Sequence, residues 1–235
     1  MIGVAANVIT VILGCLTGCI FRKGISKKIS DSAMIAVGLS IICIGVSGML
    51  ESREPLVLVI SMVLGTILGT SLDVDGKINV LGDKIAGKFS KSDKGQSNIA
   101  EGFITASLVF CVGSMTILGG LNAGLKGDNT LYYTKAVLDF ISATMLTTSI
   151  GIGVILSSVT VLLYQGALVL LASLLEPVFT QAIISEINGV GSVMIFALGL
   201  NLAGVAKFKV ANFLPAIIIT PFACMAVEAV WKLIS

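Results

Sequence analysis

Lys135 and Asp139 stand four residues apart in a largely apolar segment, a spacing that places both on one helix face. Charges inside a membrane span are costly and mark ion, proton or substrate paths. Two readings stay open. The pair can neutralise itself as a structural element in the outer part of its span, with the lysine snorkelling toward water. Alternatively, Asp139 trades Lys135 for a proton or cation and becomes a coupling site. The lysine favours an anionic substrate such as a small carboxylate; a mobile Asp139 favours cation coupling. A second patch offers neutral ligands: Asn212, and Pro215 three residues on, which would free backbone carbonyls in a span. Asn122 and Asn201 each end a glycine-rich stretch, where capping and ligand contact are both open. Gln165 is a lone amide in an apolar run, suited to an interhelical hydrogen bond or to a ligand.

Other chemistries are excluded by what is missing. The chain has no histidine, which removes the commonest general base, the commonest zinc ligand and the triads built on it. Cys15, Cys19, Cys43, Cys111 and Cys224 all lie in apolar runs without a C-x-x-C pair, the pattern of packing residues. No second acid lies within an apolar run to join Asp139 in an aspartyl mechanism. The expectation is a protein that is not an enzyme and uses no metal or cofactor. A net charge of +2 gives no reason to expect nucleic acid. Gly82 to Phe89 nearly spells a phosphate-binding loop, but Phe89 stands where Ser or Thr must hold magnesium. Asp73, Asp75 and Gly76 resemble part of a calcium loop without its spacing or terminal Glu.

The elements that must position these residues follow from composition. The chain is 56% hydrophobic and 12% charged, against about 25% charged in soluble domains. Seven stretches lack Asp, Glu, Lys and Arg: 1–21, 32–50, 55–72, 102–125, 140–175, 187–206 and 210–227. Each is long enough to cross a bilayer, for which about 20 apolar residues suffice. The run 140–175 would be about 54 Å long as one helix, nearly twice the hydrocarbon thickness. A break at Thr147 to Gly153, with Gly151 and Gly153 inside it, divides it. The expected fold is therefore an all-α polytopic membrane protein, one transmembrane domain over 1–235. Its eight spans lie near 1–21, 32–50, 55–72, 102–125, 131–149, 151–175, 187–206 and 210–230.

Charge orients the spans. No basic residue precedes the first apolar run, whereas Arg22, Lys23, Lys27 and Lys28 follow it, the reverse of a signal peptide. With the amino end outside, eight spans leave eleven of the fifteen basic residues cytoplasmic, as the positive-inside rule asks. Seven spans would move Lys207 and Lys209 outside. The soluble segment 73–98 becomes a cytoplasmic linker, with Lys77 to Ser90 patterned as an amphipathic helix through Ile78, Leu81, Ile85 and Phe89.

The chain also matches itself. Val112, Gly113, Ser114 with Ile117, Gly120, Leu121 and Asn122 is echoed by Val190, Gly191, Ser192 with Ile195, Gly199, Leu200 and Asn201. Asp139, Phe140, Ile141, Ser142, Ala143 is echoed by Asn212, Phe213, Leu214, Pro215, Ala216. The matching spans run in opposite directions, so spans three to five and six to eight form a candidate inverted repeat of three-helix units. Secondary transporters recurrently place their site between such units, on interrupted helices. Gly113, Gly151, Gly153 and Gly191 are the positions for helix breaks or close packing. Gly14 and Gly18, Gly65 and Gly69, and Gly120 and Gly124 have the spacing of close-packing faces, which serve a homodimer as readily as the protomer.

These residues carry a family resemblance. Gly119, Asn122, Gly127, Asp128, Lys135, Leu138, Asp139, Phe140 and Ala143 are joined by Gly151, Ile152 and Gln165. The third patch is Gly199, Leu200, Lys207, Phe208, Val210, Asn212, Leu214, Pro215 and Ala216. Together they resemble the signature of the YqgA/YdfK family of bacterial inner-membrane proteins over essentially the whole chain. One departure is Gly204, Val205, Ala206, Lys207, where the family tends to have a Gly-Ile-Lys approach. The resemblance implies a multi-pass protein of the bacterial inner membrane, described only as a candidate transporter, and supplies no substrate. The expected function is secondary transport of a small polar or anionic solute or ion from a site between the repeats. An ion channel, or a non-transporting membrane scaffold, is the alternative.

Overall fold

In a bilayer each backbone donor and acceptor must find a partner within the protein, and a helix does so within one segment. The computed structural model describes residues 1–22, 27–80 and 96–234, and all regular structure among them is helical. In chain order the α-helices are α1 (Ile2–Arg22), α2 (Lys27–Met49), α3 (Pro55–Ser71) and α4 (Val74–Val80). There follow α5 (Gln96–Cys111), α6 (Ser114–Leu125), α7 (Thr130–Ser149), α8 (Ser157–Leu170) and α9 (Ala172–Leu175). Last come α10 (Gln181–Leu202) and α11 (Pro215–Ile234), while short 3-10 turns at Ile152–Leu156 and Val210–Phe213 lead into α8 and α11. Most of the expected amphipathic helix and the phosphate-loop-like stretch lie outside the described residues; α4 holds only its start.

This is a multi-pass helical protein with four to six candidate spans among the described residues. Ile2–Arg22, Ile152–Leu170, Gln181–Leu202 and Val210–Trp231 are each long and apolar enough to cross a bilayer. Two bent pairs, Pro55–Ser71 with Val74–Val80 at 53° and Ile99–Cys111 with Met115–Leu125 at 59°, make six if each is one span. The difference from eight lies in α2, whose apolar part is only Met34–Met49, and in α7, diluted by Lys135, Asp139 and several threonines.

Small residues decide how the helices pair. Each of the first three lies against a later one, with glycine at the contact. Gly3, Gly14 and Gly18 of α1 meet Tyr132, Ala143 and Thr147 of α7, so the two run parallel. Gly38, Gly45 and Gly48 of α2 meet Ala203, Phe196 and Ser192, so α2 and α10 are antiparallel. Gly65 and Gly69 of α3 meet Ala216 and Asn212, an antiparallel pairing with the α11 end of the chain. Without a hydrophobic drive between helices in lipid, such backbone approach is what holds them. Val11, Phe110, Val161 and Met194 fill the resulting core, and Leu13, Ile20, Leu163 and Phe222 face outward, where the bilayer would cover them.

Two breaks position the rest. Between α5 and α6, Gly113 has φ +140°, a conformation that side-chain-bearing residues rarely adopt. The 36-residue run is interrupted after α7, where Gly151 has φ +119°. The other two glycines pack instead: Gly153 lies against the backbone of Ile99, and Gly191 against the side chain of Val112. A break at Gly191 does not occur, because α10 continues unbroken through it. Its missing side chain makes the seat in which the corner at Val112 and Gly113 rests, so the first matching patches touch while differing in conformation.

Candidate functional site

The chemistry-bearing residues gather where α1, α7 and α8 meet. Lys135 Nζ donates to Asp139 Oδ1 at 3.0 Å, one turn apart on α7, and both residues are buried. Asn7 of α1 donates from Nδ2 to Asp139 Oδ2 at 2.9 Å and to Gln165 Oε1 of α8 at 3.2 Å. Asn7 and Gln165 are fully buried. The order of this chain is set by charge: an ionised Asp139 only accepts, so Asn7 must turn its amino group to it. That leaves Asn7 Oδ1 and Gln165 Nε2 buried without hydrogen-bond partners. A buried unpaired polar group is expensive, and a ligand that donates to Asn7 Oδ1 and accepts from Gln165 Nε2 would satisfy both.

The neighbouring elements tie this cluster to the break. Tyr132, one turn before Lys135, is fully buried and donates its hydroxyl to the Thr116 carbonyl in the first turn of α6. Thr116 in turn donates its hydroxyl to the Phe110 carbonyl, which the break at Gly113 frees. A helix pair closed by Gly14 and Gly18 thus delivers Asn7 to Asp139, and α7 connects the ion pair to the broken span.

The remaining expected site residues lie elsewhere. Asn212 sits in the 3-10 turn before α11, and its Oδ1 accepts the Asp75 N–H at 2.9 Å, holding the start of α4. Asn201 is engaged at both amide ends with the backbone of Phe208, at 2.8 Å each, and closes the loop after α10. The Asn122 backbone carbonyl accepts from Lys126 and Asp128 at the end of α6. Pro215 lines a cavity of 390 Å³ together with Gly113, Thr160 and Tyr164, adjacent in sequence to Gln165. Lys135, Asp139 and Gln165 therefore converge, whereas Asn122, Asn201, Asn212 and Pro215 do not join them.

Asn7 and Glu186 are among the buried groups that escaped the sequence reading. Asn7 is the only amide in the first apolar run, the same signal that singled out Gln165. Glu186 ends just before an apolar run and so was counted with the loops, yet it is 2% exposed within α10. Its carboxylate accepts from Ser52 Oγ at 2.6 Å and from the Arg53 and Glu54 N–H groups at 2.6 and 3.0 Å. It therefore caps the amino end of α3, a favourable place for negative charge. Among the described residues no group of three acids or cysteines is placed to hold a metal ion.

The bridging role of Asn7 gives a direct expectation. Asn7→Ala removes the donor to two buried oxygens, and leaving them unpaired should lower stability by about 1–3 kcal/mol. Thermal unfolding in detergent checks this; a melting temperature equal to that of the unaltered protein would show that the amide bridge is not formed.

Comparison with known proteins adds family but not activity. The family model described as "Protein of unknown function (DUF554)" matches residues 2–225. The chain is similar to the "Uncharacterized membrane protein YdfK" of Bacillus subtilis (strain 168). The identity is 34% over 233 residues, covering 97% of this chain and 98% of the relative. It is similar to the "Uncharacterized protein YqgA" of Escherichia coli (strain K12), 27% identical over 233 residues, covering 98% and 97% respectively. No solved structure matches.

Proposed function

This chain belongs to the DUF554 family, and on that premise we propose that it is a secondary transporter of a small polar solute or ion in the bacterial inner membrane. The proposal includes eight spans with the amino end outside, and three-helix units of opposed orientation. The pairing directions support that topology. Parallel α1 and α7, antiparallel α2 and α10, and antiparallel α3 and α11 are the directions that eight alternating spans require of the first and fifth, second and seventh, and third and eighth. Contact of Val112 with Gly191 supports a meeting of the two units at their matching patches.

The observation that carries the functional reading is the incomplete hydrogen bonding around Lys135 and Asp139. A purely structural pair gains by satisfying every neighbour, because buried polar networks stabilise only when complete. Here Asn7 Oδ1, on the residue that bonds Asp139, and Gln165 Nε2, on the residue that Asn7 bonds in turn, remain unengaged. Asp139 is the coupling group in this reading: it exchanges Lys135 for a proton or a cation. An anionic solute would find the Lys135 ammonium free only after Asp139 has been neutralised, since the two stand 3.0 Å apart.

A thermal-shift screen of the detergent-purified protein tests this against amino acids, carboxylates, inorganic anions and cations. A ligand that binds only the folded state raises the apparent melting temperature by mass action. We expect one class to stabilise the unaltered protein and to lose its effect in Asp139→Asn and Lys135→Ala. If nothing stabilises it and both variants merely melt earlier, the pair is structural and the transport reading falls.

A further inference from the structure

Three cavities follow one another along α5, and none is lined by Lys135 or Asp139. The outer one, 400 Å³, is bordered by Glu51, Asn188, Ser192 and Val112. The central one, 390 Å³, shares Val112 and Gly113 with it, and its further walls include Cys111, Tyr164 and Pro215. The inner one, 190 Å³, shares Ile104 with the central cavity and is bordered by Glu101, Asp75 and Asn79. Glu51 precedes α3 and Asp75 follows it, so the outer and inner cavities lie at opposite ends of a helix about 25 Å long. Glu101, in the second turn of α5, and Val112, just beyond its last residue, are likewise separated along α5, which borders all three.

We propose that this row of cavities is the solute route and that its cargo is a small organic cation with an apolar body, held in the central cavity beside the break at Gly113. The inference rests on the transport reading and names its substrate class. Three carboxylates, Glu51, Asp75 and Glu101, stand at the two mouths, and no lysine or arginine is among the described residues that line the three cavities. Lys77, Lys207 and Lys209 are near in sequence to the inner mouth but form none of its wall. Acidic mouths concentrate cations and repel anions. The central walls are almost wholly aliphatic and aromatic, so a hydrated inorganic ion would lose its water there without replacement. An alkylammonium suffers less, because its apolar body meets Leu108, Ile117 and Ile187 while its charge can lie over Phe103 or Tyr164. The cavity also has the size of a small-ligand pocket.

Cys111 in the central wall is a built-in reporter. The full-length protein in detergent is treated with N-ethylmaleimide, and alkylation of Cys111 is followed by mass spectrometry with the partly exposed Cys19, which lines none of these cavities, as the control. Tetrapropylammonium is expected to slow alkylation of Cys111 about tenfold, the effect of [L] near ten times Kd, without changing Cys19; octanoate at the same concentration should not. In Glu51→Gln/Glu101→Gln the half-protecting concentration should rise about threefold, the size of a partly screened charge effect. Equal protection by octanoate, or none by tetrapropylammonium, overturns the proposal. Should Cys111 resist alkylation in the free protein, the same pair is read by thermal shift: tetrapropylammonium must raise the melting temperature and octanoate must not, or the proposal falls. The assay needs no flux: protection of Cys111 without any ligand effect that depends on Asp139 would end the transport reading and leave the cavity assignment standing. A carboxylate whose stabilisation depends on Asp139, without Cys111 protection, would do the reverse.

Discussion

Asp139→Ala is expected to be the most damaging single substitution in the polar cluster, because it strands the Lys135 ammonium inside the bundle with no other ion-pair partner among the described residues. Breaking a buried pair from one side costs about 3–5 kcal/mol. The two ends of the pair are not equivalent. Lys135→Met leaves a carboxylate that still accepts from Asn7, whereas Asp139→Ala takes from Lys135 its hydrogen-bond acceptor, so the cost of Lys135→Met should be smaller. Lys135→Met/Asp139→Leu removes both charges and should recover much of the loss, with a coupling energy of about 0.5–3 kcal/mol in the double-variant cycle. Thermal unfolding in detergent measures the three stabilities. The stabilising ligand found for the unaltered protein then separates the roles. A double variant that folds and ignores the ligand supports a coupling pair; one that folds and still responds shows that the charges serve only the fold.

Gly14→Leu should be comparably severe for a different reason. A Cβ at position 14 would stand 2.5 Å from the Phe140 carbonyl oxygen and 2.9 Å from Ala143 Cβ, and backbone cannot yield as a side chain can. Overpacking costs about 1–3 kcal/mol. Moving α1 away from α7 also draws Asn7 from Asp139 and Gln165, adding the penalty of unpaired buried groups. Together these predict a fall in melting temperature on the order of 10 °C. Leu13→Val, one residue away on an exposed face of α1, should change it by a degree or two at most. Equal behaviour of the two variants would mean that α1 does not dock on α7 through its glycines.

This second prediction shows where the sequence was legible and where it was not. The glycine pairs at 14 and 18 and at 65 and 69 announced close-packing faces. Their partners, on α7 and at the α11 end of the chain, lie far along the chain and carry no local sign. The first span lies outside the two candidate repeated units, yet it supplies the amide that joins Asp139 to Gln165. Asn7 and Glu186 were overlooked because a lone polar residue beside or within an apolar run looks the same whether it faces a loop, a lipid or an acid.

Composition and charge alone established a multi-pass helical membrane protein without histidine chemistry, because the solvent that a segment prefers depends on its own side chains. The spacing of Lys135 and Asp139 likewise made them neighbours on one helix, since four residues nearly complete a turn. Gly113 and Gly151 were foreseen as breaks for an equally local reason: only the backbone without a Cβ enters those conformations freely. Which glycine breaks and which packs was decided by contact, as Gly191 shows, where the space left by a missing side chain is filled by Val112 and the helix runs on. Tertiary structure also separated Asn201 and Asn212 from the ion pair and set a row of acid-mouthed cavities along α5. Those outcomes depend on which distant helix faces meet, and no single segment holds that information.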